Sequence, residues 1–270
     1  MRKLSKTSSQ IDGQPMFKLL DKIKKLESNG KDIIHFEIGD PDFDTPKNIS
    51  DAAINALKNG QTHYVSSFGL AELRQKICES IEKSRGFKPE LEQVLVTPGA
   101  NIVIFYAISC LVDPGEEIIF PDPGFPTYSA AVKMCNASPV RIPLLESNEF
   151  RMNPDDIEKS ITKKTKMVII NSPQNPTGSV MTKDEIKATY EIAEKHDLFL
   201  YSDEIYSKLI YDNNKYSSPS IFDKCKERTI LADGFSKAYA MTGWRLGLVV
   251  GPSDVIEKIR TFEISKRVSI

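Results

Sequence analysis

Apolar residues recur along this chain with two different periods. Over residues 15–27 they fall at Met16, Leu19, Leu20, Ile23 and Leu26, one face of a helix that Asn29-Gly30 ends. Residues 46–58 repeat that spacing with Ile49, Ala52, Ala53, Ala56 and Leu57. The run 33–38 between them predicts a short strand. Further strands are predicted at 93–96, 117–120, 140–142, 166–170, 198–201, 229–232 and 246–251. Helices are predicted at 102–111, 128–134, 155–159, 182–196 and 253–266. The helix at 182 opens with Thr182 and Glu185 placed as a capping box. Strands alternating with helices predict an α/β fold of three layers, a mainly parallel sheet covered by helices on both faces. Such sheets bind ligands at the carboxyl ends of their strands. Residues just after each strand are therefore the candidates for chemistry.

Composition narrows the choices. A chain of 270 residues can bury a sizeable core, and 40% hydrophobic with 27% charged residues is ordinary for a globular protein. Lys+Arg 36 against Asp+Glu 37 leaves no basic excess, which argues against a nucleic-acid partner. No apolar run is long enough to span a membrane, and the basic start, residues 1–6, leads into no signal core and reads as a frayed terminus. Cys78, Cys110, Cys135 and Cys225 are widely spaced, the pattern of thiols in a reducing cytoplasm. The histidines His35, His63 and His196 lack ligand spacing, so no metal is expected.

One stretch carries the most chemistry. Gly234-Phe235-Ser236-Lys237-Ala238-Tyr239-Ala240-Met241-Thr242-Gly243-Trp244-Arg245-Leu246-Gly247 joins two predicted strands. A lysine among apolar and small neighbours loses solvation, so its pKa falls and its amine becomes a nucleophile able to condense with a carbonyl. Arg245 offers a planar, permanent cation suited to phosphate. Without further context, the same residues read as two surface cations beside a turn. At Thr97-Pro98-Gly99-Ala100-Asn101 a strand, a small-residue turn and a helix start aim free N–H groups at an anion, although many such turns bind nothing. Phe125, after the strand ending at Phe120, is placed either to stack on a flat ring or to fill the core.

The Lys237 stretch matches Gly-Phe-Ser-Lys-x-x-Ala-Met-x-Gly-x-Arg-Leu-Gly without gaps and so resembles the signature of the class I/II, fold-type I, pyridoxal-phosphate-dependent aminotransferases. Further segments are similar to the same family: Gly39-Asp40-Pro41-Asp42-Phe43-Asp44-Thr45-Pro46; Tyr64 to Arg74; Asn171-Ser172-Pro173-Gln174-Asn175-Pro176-Thr177-Gly178; and Ser202-Asp203-Glu204-Ile205-Tyr206. The resemblance implies pyridoxal 5'-phosphate (PLP) as cofactor, held covalently by Lys237. It implies that Asp203 pairs with the pyridine nitrogen, that Asn175 and Tyr206 donate to the phenolate oxygen, and that Phe125 stacks on the ring. Ala100, Asn101, Ser236 and Arg245 are implied at the phosphate, with Tyr64 reaching it from the other subunit of a homodimer. Gly39 and Asn175 are implied at the substrate. Glu204 has no implied role and reads as a solvated carboxylate. Two positions depart from the pattern: Asn101 stands where serine, threonine or lysine is common, and Gly234 where serine is common.

The implied activity is amino-group transfer between an amino acid and a 2-oxo acid. Another fold-type I activity, β-eliminating lyase or decarboxylase, and a catalytically silent PLP-binding fragment stay open as alternatives. The implied organisation is an N-terminal arm with part of a small domain over residues 1–45 and a PLP-binding large domain over 46–270. The family continues beyond a helix like 253–266 to complete the small domain, which holds the arginine for the substrate α-carboxylate; neither Arg260 nor Arg267 matches that arginine.

Overall fold

The strands join in one sheet, seven-stranded among the described residues, in the order β1-β7-β6-β5-β4-β2-β3. The computed structural model describes residues 15–265; the basic start and Arg267 lie outside it. In chain order the elements are α1 (Pro15–Ser28), α2 (Lys47–Lys58), α3 (Ala71–Arg85), β1 (Val94–Thr97), α4 (Asn101–Leu111), β2 (Glu117–Asp122), α5 (Pro126–Met134), β3 (Ser138–Pro143), α6 (Pro154–Lys159), β4 (Thr165–Asn171), α7 (Lys183–Lys195), β5 (Phe199–Asp203), α8 (Ser220–Asp223), β6 (Thr229–Gly234), β7 (Gly247–Val250) and α9 (Ser253–Ser265). Thr182 and Glu185 cap α7 reciprocally, as their spacing predicts.

β2, β3, β4, β5 and β6 pair in parallel, while β7 runs antiparallel to both its neighbours. The mainly parallel sheet was legible from the alternation of elements; the reversal at β7 was not. It follows from the β6–β7 link, residues 235–246, which contains no crossover α-helix to carry the chain back for parallel pairing.

The strands read as near-continuous apolar runs because both faces of the sheet are covered. Along β4, Met167 and Ile169 pack into one cluster with Val103, Tyr106 and Ala107 of α4 and Ile256 and Ile259 of α9. Val168 and Ile170 point the other way, onto Ile157 of α6 and Ile186 and Ala193 of α7. Each such isoleucine, buried completely, contributes roughly 1.5–3 kcal/mol. Ile77, Cys78 and Ile81 of α3 cover the edge made by β1, β6 and β7.

One expectation needs correction. Residues 33–38 form no strand: Ile34 and Phe36 are 82% and 90% exposed, and no described strand pairs with them. Alternating polarity proposes a strand, but a strand exists only where another edge accepts its hydrogen bonds. α2 forms as predicted, yet none of its residues is buried, and Ile54 and Leu57 stay exposed.

One buried carboxyl marks a pH dependence. Glu263 on α9 is buried, its Oε2 has no hydrogen-bond partner, and burial pushes its pKa up to about 7. An unfolded glutamate titrates near 4.3. Between those values the folded chain holds the proton more tightly, so stability falls as pH rises towards about 7 and levels off above it. Glu263→Gln is expected to stabilise the fold by on the order of 1–2 kcal/mol at pH 8 and by nothing near pH 4. Thermal melts at the two pH values check this; an equal shift at both contradicts it.

Candidate active site

A cavity of about 830 Å³ opens at the carboxyl ends of β4 and β5, between the N-terminus of α4 and the segment carrying Lys237. Every candidate residue singled out above lines it except Tyr64, which is 94% exposed on its loop.

Asp203 ends β5 and faces the cavity. Its Oδ2 accepts from the Tyr128 hydroxyl at 2.7 Å and its Oδ1 from the Ile205 N–H at 3.3 Å. Burial pushes this carboxyl up to about 6, and the Tyr128 and Ile205 hydrogen bonds pull the other way. A carboxylate so placed is short of a cation. Asn171, at the end of β4, holds this corner: its Nδ2 donates to the carbonyls of Asp203 and Pro173, and its Oδ1 accepts the Asn175 N–H at 2.8 Å. Asn175 Nδ2 in turn lies 3.3 Å from the Tyr206 hydroxyl as donor. Burial raises the Tyr206 pKa, with Asp203 adding to the rise and Asn175 opposing it, so the phenol stays a donor.

Lys237 also lines the cavity. Burial lowers its pKa, and Asp40 only partly counters that. Its Nζ donates to the Gly39 carbonyl at 2.5 Å, which fixes the amine at the cavity edge. The segment bearing Gly39 is strapped down nearby, where Thr45 Oγ1 donates to the Ala240 carbonyl at 2.5 Å and accepts Trp244 Nε1 at 3.0 Å.

The anion end is built by close backbone approach. A Cβ on Gly247 would sit 2.3 Å from the Ala100 nitrogen, so only glycine lets β7 start against the first turn of α4. A Cβ on Gly99 would sit 2.5 Å from Arg245 Nη2, so the guanidinium rests on that turn. Arg245 has φ 52°, a left-handed backbone that costs about 1 kcal/mol and turns the side chain to this position. Nη1 is anchored on the Thr242 carbonyl at 2.8 Å. The opening N–H groups of α4 have no partner within the helix. Ala100, Asn101, Ser236 and Arg245 thus share one corner suited to an anion. Phe125, just before α5, borders the same space and packs edge-on to Tyr128, ring centroids 5.8 Å apart.

No role was legible in sequence for Tyr128, three residues after Phe125, or for Asn171, which opens a quoted motif. Their signal was weak but present: Asn171 ends β4, and Tyr128 lies in the first turn of the helix that follows β2. Glu204 overturns the expectation of a solvated carboxylate, because it is 1% exposed and bonded to Arg85, Tyr216, Ser202 and Ser218. The four cysteines form no disulfide; Cys78 and Cys225 are buried. Among the described residues, no group of three or more His, Cys, Asp or Glu is arranged to hold a metal ion, and no helix is long and apolar enough to cross a membrane.

The family model described as aminotransferase class I and II matches residues 31–264. An aspartate aminotransferase of Pyrococcus abyssi is 43% identical over 90% of this chain and 63% of its own length. An aromatic-amino-acid aminotransferase of Thermococcus litoralis is 39% identical over 97% of this chain and 66% of its own. The solved structure of an aspartate aminotransferase from Thermus thermophilus with maleate superposes with a TM-score of 0.95 at 33% identity, covering all of this chain and 70% of that one. The chain therefore spans less than two thirds of the length of the first of these relatives.

Proposed function

Because the chain belongs to the class I and II aminotransferases, we propose that it binds PLP in the cavity and takes part in amino-group transfer between an amino acid and a 2-oxo acid. The cavity fits the cofactor on its own evidence. It offers a buried carboxylate short of a cation, a phenol and an amide aimed together, an aromatic face, a lysine whose pKa burial lowers, and an anion corner whose close backbone approach only glycine at 247 allows. Asp203 would hold the pyridine nitrogen, Asn175 and Tyr206 the phenolate oxygen, Phe125 the ring face, and Ala100, Asn101, Ser236 and Arg245 the phosphate. When bound, the cofactor supplies an aldehyde and an electron-withdrawing ring that lowers the acidity barrier at the substrate α-carbon.

The observation that carries the reading is that Lys237 and Asp203 line one cavity, each with its pKa moved towards neutrality. Burial disfavours the ammonium form of Lys237, and its Nζ, as the free amine, would take a proton from the substrate α-carbon and return it to a neighbouring carbon. Gly39 presents a carbonyl to that amine and would place backbone beside the substrate. The N-terminal residues to about 45 would belong to a second, smaller domain. Tyr64, exposed and outside the cavity of its own chain, fits the family's cross-subunit phosphate contact and so a homodimer. Widely spaced thiols without disulfides support a cytoplasmic setting.

A second reading, cofactor binding without turnover by this chain alone, is favoured by one observation. Among the described residues, Arg245 is the only arginine lining the cavity, and it belongs to the anion corner. The test is the absorption spectrum of protein with PLP, before and after a panel of amino acids and then 2-oxo acids. A change with an amino acid that a 2-oxo acid reverses is the expected result. Release of ammonia and pyruvate instead marks a lyase, and a spectrum indifferent to every amino acid marks the silent reading.

A further inference from the structure

Behind the cavity, the segments carrying Asp203 and Lys237 meet a buried ion cluster that the proposed chemistry does not use. Glu204 follows Asp203 directly, and Asp233 lies on β6 four residues before Lys237. Arg85, the last residue of α3, reaches between them. Its Nε and Nη2 donate to Glu204 Oε2 at 2.9 and 2.5 Å, and Nη2 also donates to Asp233 Oδ2 at 3.2 Å. The Tyr216 hydroxyl donates to the same Glu204 oxygen, and the hydroxyls of Ser202 and Ser218 donate to the other. Asp233 Oδ1 accepts the Gly234 N–H at 2.7 Å, so the cluster grips the backbone where the lysine segment begins. The Arg85, Glu204 and Asp233 side chains are 5%, 1% and 17% exposed.

Buried ion clusters seldom add stability over apolar residues of equal volume, so stability alone does not explain this one. It also carries two carboxylates against one guanidinium, and burial pushes Asp233 up to about 6 while Arg85 holds it down. Tyr216 and Cys225 lie against the cluster, and Lys76 and Lys208 border a small cavity beside Arg85 and Asp233. On the cavity side the facing groups are Asp203, Tyr128, Tyr206 and Lys237, with Asp40 beyond.

We propose that Arg85 is a positioning residue for the cofactor site: its guanidinium ties the Asp203 and Lys237 segments together from behind and balances the charge of Glu204. This rests on the PLP reading above. With Arg85 in place, one of the two carboxylate charges behind the cavity is neutralised. Without it, charge accumulates behind the lysine and stabilises protonated forms there.

The test loads PLP into wild-type protein, Arg85→Met, Glu204→Gln and the double variant. It measures the cofactor dissociation constant and the pH midpoint of the visible absorbance, with circular dichroism as the check on folding. Arg85→Met is expected to raise the midpoint by about half a pH unit or more, and Glu204→Gln to lower it. The double variant, with the original net charge, is expected to return close to the wild-type midpoint. Arg85→Met is also expected to weaken cofactor binding by about tenfold, the effect of losing one charge-assisted tie. Folded variants whose midpoints and dissociation constants match wild type overturn the proposal, as does a double variant that keeps the Arg85→Met shift. If Arg85→Met does not fold, Glu204→Gln decides alone: a lowered midpoint supports the proposal and an unchanged one overturns it. A wild-type protein with no visible band overturns the cofactor reading itself, and this inference with it.

Discussion

Lys237→Ala abolishes the visible absorbance that PLP acquires on binding, and it slows amino-acid-dependent conversion of the cofactor by about 10⁴-fold or more. Two losses combine. In the proposed site the covalent tether would disappear, and so would the amine proposed to move the α-proton, a role contributing about 10²–10⁴-fold by itself. The size of the effect follows from the site. Burial lowers the Lys237 pKa, and the next cation, Arg245, is committed to the anion corner by Thr242 and the α4 turn. Lys237→Arg is expected to fail almost as completely, because a guanidinium stays protonated and cannot act as base. Spectra with stopped-flow mixing against an amino acid check both. A visible band that survives in Lys237→Ala removes the central assignment.

Asp203→Asn is expected to weaken PLP binding by about 10–100-fold, the worth of a charge-assisted hydrogen bond. The rate of conversion should fall by a further 10²–10³-fold or so, as expected when a preorganised charge is lost. The pH dependence gives a sharper signature. Asp203 titrates at about 6 in the cavity because burial disfavours its charge. Pairing with a protonated ring nitrogen needs the ionised form. Affinity should therefore fall as pH drops below about 6, with a proton taken up by the free site, and stay level above it. In Asp203→Asn that slope should vanish. Binding titrations at pH 5 and pH 7.5 measure it, and an equal pH slope in both proteins excludes Asp203 as the partner of the ring.

Both predictions rest on residues that were legible in sequence, for local reasons. Lys237 and Arg245 share one unbroken segment, so their spacing was visible directly. The α4 turn was legible because strand, Gly99 and helix start follow one another. Asn175 and Asp203 each sit within a few residues of a strand end, where an α/β sheet collects its ligands. What lay between distant segments was hidden. Tyr128 and Asp203 are 75 residues apart, Arg85 and Glu204 119, and nothing in either stretch announces the pairing. Glu204 reads as solvated because a glutamate beside a turn usually is; only the arrival of Arg85 and Tyr216 makes its burial tolerable.

The order of strands and helices, the covered sheet and the segment bearing the lysine were set by the sequence alone, since period and turn chemistry act over short range. The tertiary structure decided that β7 inserts antiparallel between β1 and β6, that residues 33–38 stay unpaired, and which side chains surround Asp203 and Glu204. Those outcomes depend on hydrogen-bond partners and burial supplied by remote parts of the chain, and a linear pattern of polarity carries no record of them.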